Sequence, residues 1–201
     1  PDLYVCNDFS SPDRFWINDG RGRFRAVPRL AVRHTSRSTM GIDFADINQD
    51  GHDDFLLLDM LARQQARRLV HLDKEKPIPI VVGKFDSRPR YNRNALLVSR
   101  GDDTWLEAAN YAGLEASDWS WAAAFMDVDL DGLEDVLITN GFSFDTMDID
   151  SKQRVLAIQN ARKLPTAELK LLRKHRPAWP SANAAFRNVG GLKFAPASSD
   201  W

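Results

Sequence analysis

Short apolar runs alternate with dense polar stretches along the whole 201-residue chain. Residues 41–45, 55–58, 121–126 and 136–139 are brief, apolar and bounded by polar clusters, which predicts buried strands. Residues 3–5 read the same way. Three further stretches, 15–24, 95–105 and 185–194, predict hairpins, because each breaks two apolar runs with a glycine-bearing turn. In each, a glycine is followed four residues later by an aromatic residue: Phe24, Trp105 and Phe194. The order is strand, polar loop, strand, then hairpin. That is one four-stranded antiparallel unit, given nearly three times.

The polar loops carry the chemistry. In Asp127-Val128-Asp129-Leu130-Asp131-Gly132-Leu133-Glu134-Asp135, aspartates fill positions 1, 3, 5 and 9, and glycine fills position 6. Asp46-Ile47-Asn48-Gln49-Asp50-Gly51-His52-Asp53-Asp54 repeats the pattern, with the amide of Asn48 at position 3. A hard cation such as Ca²⁺ takes six to eight oxygens at roughly 2.3–2.6 Å, and alternate residues of a tight loop all point inward. Gly132 permits the sharp turn. Uncompensated aspartates this close would repel one another, so a bound cation is the natural explanation. An EF-hand would need a bidentate glutamate at position 12 and a helix after the loop. Position 12 is Leu57 or Ile138, and a strand follows, which excludes the EF-hand.

Asp2 aligns with Asp54 and Asp135, each preceding an apolar strand, so residues 1–27 read as the end of a truncated blade. The chain is expected to be a fragment. From Asp46 to Asp127 is 81 residues, while from Asp2 to Asp54 is 52. The shorter distance suits a propeller blade of about 40–50 residues. The longer one predicts insertions. A blade over 38–110 would carry one at about 60–92, helix-compatible from Met60 to His71 and irregular over 77–94. A blade over 118–201 would carry a helical one at about 146–182. There Val155, Leu156, Ile158 and Leu164 have helical spacing, Pro165 breaks the helix, and Thr166 is placed to cap a second one through Leu172. Packing against the propeller face is the favoured role for both insertions, with partner binding the alternative.

These loops and hairpins resemble the FG-GAP or VCBS repeats of integrin-α-like β-propellers. Stretches such as Pro1-Asp2-Leu3-Tyr4-Val5 and Asn18-Asp19-Gly20-Arg21-Gly22-Arg23-Phe24 are similar to the bacterial branch of large exported proteins. Some of those also carry an ASPIC/UnbV domain, which this chain does not contain. The resemblance implies an all-β, partial β-propeller of four-stranded antiparallel blades, about two and a half of the typical four to eight, with two partly helical insertions. It implies Ca²⁺ as cofactor. The first ligand set would be the side chains of Asp46, Asn48, Asp50 and Asp54 with the carbonyl of His52. The second would be Asp127, Asp129, Asp131 and Asp135 with the carbonyl of Leu133. The extra carboxylate predicts tighter binding at the second loop, both in the range of extracellular modules, roughly 10⁻⁴–10⁻³ M.

Composition adds little beyond this. A chain that is 43% hydrophobic and 27% charged, with net charge −1, is an ordinary globular composition. It gives no global case for nucleic acid or membrane binding. The single Cys6 reads as a buried small residue. Arg21, Arg23, Arg25 and Arg29, followed by Arg33 and Arg37, read as a solvated face. Trp119 and Trp121 flank Ser120, so both are expected on one strand face, in blade packing or, if exposed, in glycan stacking. Asp43, Asp145 and Asp148 are candidates for acid–base work only in the weakest sense. The function expected is a non-catalytic, calcium-stabilised repeat module, secreted, periplasmic or at the cell surface, for adhesion to or recognition of a protein or glycan. Its other partners are the remaining blades. The alternative is a scaffold or substrate-binding propeller of a carbohydrate-active enzyme.

Overall fold

The computed structural model describes residues 1–8, 11–71, 80–84, 87–161 and 163–199. Its strands build three antiparallel sheets. The first orders β1 (Leu3–Val5), β2 (Arg14–Asn18) and β3 (Phe24–Ala26) side by side. A short β4 (Thr35–Ser36) precedes the second sheet, β5 (Gly41–Ala45), β6 (Asp54–Leu58), β8 (Ala95–Ser99) and β9 (Trp105–Glu107). β7 (Arg90–Tyr91) lies between them in sequence and pairs in parallel with β4, a link not foreseen in the sequence. The third sheet is β10 (Ser120–Met126), β11 (Asp135–Asn140), β12 (Ala184–Asn188) and β13 (Phe194–Pro196). The architecture is an all-β partial propeller of two four-stranded blades and one three-stranded blade.

One register recurs in all three blades. Leu3 faces Trp16, Phe55 faces Leu97 and Val136 faces Phe186. The first residue of each pair directly follows Asp2, Asp54 or Asp135. β6 shows why its sequence is a continuous apolar run rather than an alternating one. Phe55 and Leu57 enter the cluster shared with Phe15 and Val32 of the first blade region. Leu56 and Leu58 enter the cluster shared with Val136, Ile138 and Phe186 of the third blade. A strand buried on both faces needs no polar alternation. Aromatic rings tie the first seam, with Phe15 5.6 Å from Phe55 and 4.9 Å from Trp105. At the second seam, β5 and β10 approach so closely that a Cβ on Gly41 would lie 2.5 Å from the Trp121 carbonyl oxygen. Only glycine fits there.

The insertions leave from one place, the connection between the second and third strands of a blade. The segment from Asp59 to Asn94 is 29 residues longer than that from Asn7 to Asp13, the same 29 by which 81 exceeds 52. The first insertion holds helix α1 (Gln65–Val70). Of its expected irregular stretch, residues 77–79 and 85–86 lie outside the described residues. The connection from β9 to β10 holds the short α2 (Ala109–Ala112), closed by Gly113 in the left-handed conformation. The second insertion holds α3 (Ile149–Ala161), α4 (Thr166–Leu171) and a 3₁₀ turn, Leu172–His175. Pro165, not Thr166, occupies the N-cap of α4, and no side chain caps it. Proline suits a helix start, where its missing N–H would have had no partner.

The two insertions pack on each other. Asp145 accepts from Arg67 Nη1 at 3.0 Å and lies 2.6 Å from His71 Nε2. Burial opposes its charge, yet His71 and Arg67 hold its carboxyl below the usual value. Trp179 lies against His71 and, edge-on, against Trp119. Trp119 stacks on Phe142 at 4.5 Å. The expected same-face pair of Trp119 and Trp121 therefore does not form. β10 begins only at Ser120 and its pairing with β11 slips between Ser120 and Ala122, so Trp119 is buried among the insertions while Trp121 is exposed. Cys6 is half-buried, with burial and then Asp13 pushing its thiol up to about 12.

Candidate metal centre

The two aspartate loops have one backbone. Position 4 is left-handed in both, Gln49 at φ +60° and Leu130 at φ +61°, and so is position 6, Gly51 at +84° and Gly132 at +89°. A left-handed conformation is costly for a branched or bulky residue, so its recurrence marks a loop shape held by its side chains. The carboxylate at position 1 does the holding. Asp46 accepts the N–H groups of Asp50 and Gly51 at 2.9 and 2.8 Å. Asp127 accepts those of Asp131 and Gly132 at 3.0 and 2.9 Å. The position 5 aspartates complete the turn, Asp50 accepting from the His52 N–H at 2.9 Å and Asp131 from Leu133 at 2.8 Å.

The last aspartate of each loop also fixes the blade. Asp54 Oδ1 accepts the Ser99 N–H at 2.7 Å, and Asp135 Oδ1 accepts that of Asn188 at 2.8 Å. Asp2 Oδ1 accepts the Asn18 N–H at 2.8 Å, giving the three-stranded blade the same bond. Asn18, Ser99 and Asn188 end the third strands and cap the hairpin turns, accepting from Gly20, Gly101 and Gly190. A matching bond closes the opposite end of each strand pair. Asp13, Asn94 and Asn183 accept the N–H groups of Asn7, Asp59 and Asn140 at 2.8, 2.8 and 3.0 Å. These polar staples escaped the sequence reading. Their signal was there, a side-chain acceptor five residues before the turn-capping residue in every copy.

In the second loop, carboxylate oxygens of Asp127, Asp129 and Asp135 lie within 4.8 Å of one another. Asp131, on the same loop, is outside that group. Arg187 Nε sits 2.8 Å from Asp129 Oδ2, an ion pair that neutralises one carboxylate. Asp135 Oδ2 also accepts the Val128 N–H at 3.1 Å. In the first loop, Asn48 Nδ2 donates to Asp50 Oδ2 at 2.9 Å, so amide and carboxylate sit side by side. Asp54 is fully buried, and its Oδ2 has no hydrogen-bond partner. The neighbouring Ile47 N–H helps its charge without closing a bond. Burial, and then the charges of Asp50 and Asp46, push its carboxyl up to about 6. Among the described residues Asp46, Asp50 and Asp54 do not converge as the second loop's three aspartates do. Yet an orphaned buried carboxylate oxygen that feels two further carboxylates of its loop fits a hard divalent cation, which asks for oxygen ligands and supplies the missing positive charge. The imidazole of His52 points elsewhere. A Cβ on Gly101 would fall 2.7 Å from its Nε2. Leu133, at the same position of the second loop, offers only its backbone.

The acid–base candidates have structural partners. Asp43 Oδ2 accepts the Phe125 N–H across the blade seam at 2.7 Å. Asp145 joins the insertions, and Asp148 accepts the Ser151 N–H at 2.6 Å at the start of α3.

Residues 1–57 match the family model described as an FG-GAP-like repeat, and the chain carries such a repeat. The match runs through the first blade and the whole Asp46 loop. The Asp127 loop lies beyond it and is tied to the same repeat by its backbone and staples. No curated protein matches the chain. No described helix is long and apolar enough to cross a membrane.

Proposed function

We propose that this chain is a calcium-stabilised, non-catalytic propeller module of an exported protein, presenting a blade surface to a protein or glycan partner. The buried, unpartnered Oδ2 of Asp54, in a loop whose backbone recurs at Asp127, carries the reading. Asp46, Asn48, Asp50 and Asp54 with the His52 carbonyl would hold one ion. Asp127, Asp129, Asp131 and Asp135 with the Leu133 carbonyl would hold the other. Ca²⁺ would supply charge neutralisation, and its binding free energy would become folding free energy. The non-catalytic part is supported by Asp43, Asp145 and Asp148, each occupied in a seam, an insertion contact or a helix start.

Thermal melting with calcium and with chelator, alongside calorimetry, tests this. At a hundredfold excess over Kd each site adds about 2.7 kcal/mol, worth on the order of 5–10 °C for a domain of this size. Two ions per chain and a matching rise in Tm are expected. A folded protein whose Tm is unchanged even at about 100 mM calcium, a hundredfold over the weakest affinity expected, would sink the reading.

A further inference from the structure

The two loops touch, and the contacts run through the groups that define each loop. Gln49 Nε2, at position 4 of the first loop, donates to the Gly132 carbonyl at 2.6 Å. Gly132 is position 6 of the second loop, and its N–H is held by the Asp127 carboxylate. Asn188 Nδ2 donates to two carbonyls, Ile47 of the first loop at 3.1 Å and Glu134 of the second at 3.2 Å. The same Asn188 gives its N–H to Asp135. Two amide side chains thus join positions 2 and 4 of one loop to positions 6 and 8 of the other, and the backbone of Asn188 adds position 9.

We infer that the two loops take up cations as a coupled pair, with Gln49 and Asn188 as the positioning residues that transmit the coupling; this rests on the calcium reading above. A cation at either loop draws the carboxylates together and fixes the backbone between them. Through Gln49 and Asn188 that fixing reaches the second backbone, so much of its ordering cost has already fallen on the first ion. The second ion then binds more tightly, and by linkage the effect is the same in either order. Asn18 of the three-stranded blade shows what is local and what is shared. It makes the counterpart of the Glu134 contact, from its Nδ2 to the Pro1 carbonyl at 3.1 Å. Ser99, at the same place in the middle blade, has no amide to make either contact.

The test uses calcium calorimetry on the whole protein. Asp50→Ala disables the first loop, and the affinity remaining at the second is compared with the value for that loop when the first is filled. Coupling predicts about a fivefold or greater loss, and Asp131→Ala should do the same to the first loop. Gln49→Met keeps the length but lacks the donor, and Asn188→Ser copies the residue found at position 99. In either background both loops should still bind, while the loss from Asp50→Ala falls below about twofold. An unchanged remaining affinity in the parent overturns the coupling, and the same loss in all backgrounds overturns Gln49 and Asn188 as the residues that transmit it, while the calcium reading stands in both cases. Absence of any binding heat, together with no chelator effect on melting, overturns both.

Discussion

The Asp46 and Asp127 loops share a backbone and differ in how their charges are met. Counted in sequence, the second has one more carboxylate, which argues for tighter cation binding. In space, Arg187 covers Asp129, so part of that excess is already neutralised. Asp135 has both oxygens bonded to backbone N–H groups, while Asp54 has one oxygen bonded and one buried without a partner. The two sites therefore divide the work differently. Asp135 is a built-in structural clamp, and Asp54 is held in a state that a cation would relieve. Ligand count alone does not rank such sites; the partners already on each carboxylate do.

Removing the two carboxylates should separate these roles most sharply. In chelator, Asp135→Ala strips two backbone N–H groups of a charged acceptor and should cost about 3 kcal/mol in urea unfolding. Asp54→Ala loses one such bond and removes an orphaned oxygen, so about 1 kcal/mol is expected. Equal losses would break the comparison.

A smaller effect should follow from pH. Asp54 has its folded carboxyl raised to about 6, above the unfolded value of about 3.9. The folded state thus binds the proton more tightly, and in chelator stability should rise as pH falls from about 7 to about 4. Asp59, with burial likewise raising its carboxyl to about 6, adds in the same sense. Asp54→Asn should flatten the curve in part, leaving the Asp59 share. A curve that keeps its full slope would show that Asp54 does not titrate there.

The smallest effect expected is from Arg187→Ala. Its ion pair is partly exposed, so stability without calcium should change by about 0–1 kcal/mol. Calcium affinity at the Asp127 loop should rise a few-fold, because Asp129 is freed from an internal competitor. Calorimetry with Asp50→Ala present isolates that loop. No gain would mean that Arg187 leaves Asp129 without cost when the cation arrives.

Much of this molecule was legible in its residues. The strands, the loops and the hairpins follow from short apolar runs, repeated aspartates and glycine-bearing turns, all local signals. The staples were not read, since each joins Asp13, Asn94 or Asn183 to a partner, Asn7, Asp59 or Asn140, across a connection whose length differs in every copy. Arg187 against Asp129 and His71 against Asp145 join residues 58 and 74 positions apart, and no local pattern announces such a pair. Trp119 and Trp121 misled because strict alternation assumes a strand already under way, whereas this one starts between them.

Each blade is also a socket. The bonds from Asp13, Asn94 and Asn183 close the strand pair at the mouth of the insertion, and the connections between stapled residues run from 5 to 34 to 42 residues without moving the register behind them. Lengthening a flexible connection that much costs only about 2 kcal/mol in closure entropy, less than the sheet on which it stands contributes. A foreign peptide spliced between Asn7 and Asp13 would thus enter a frame already built for cargo, and the blade most open to redesign is the one that carries nothing there now.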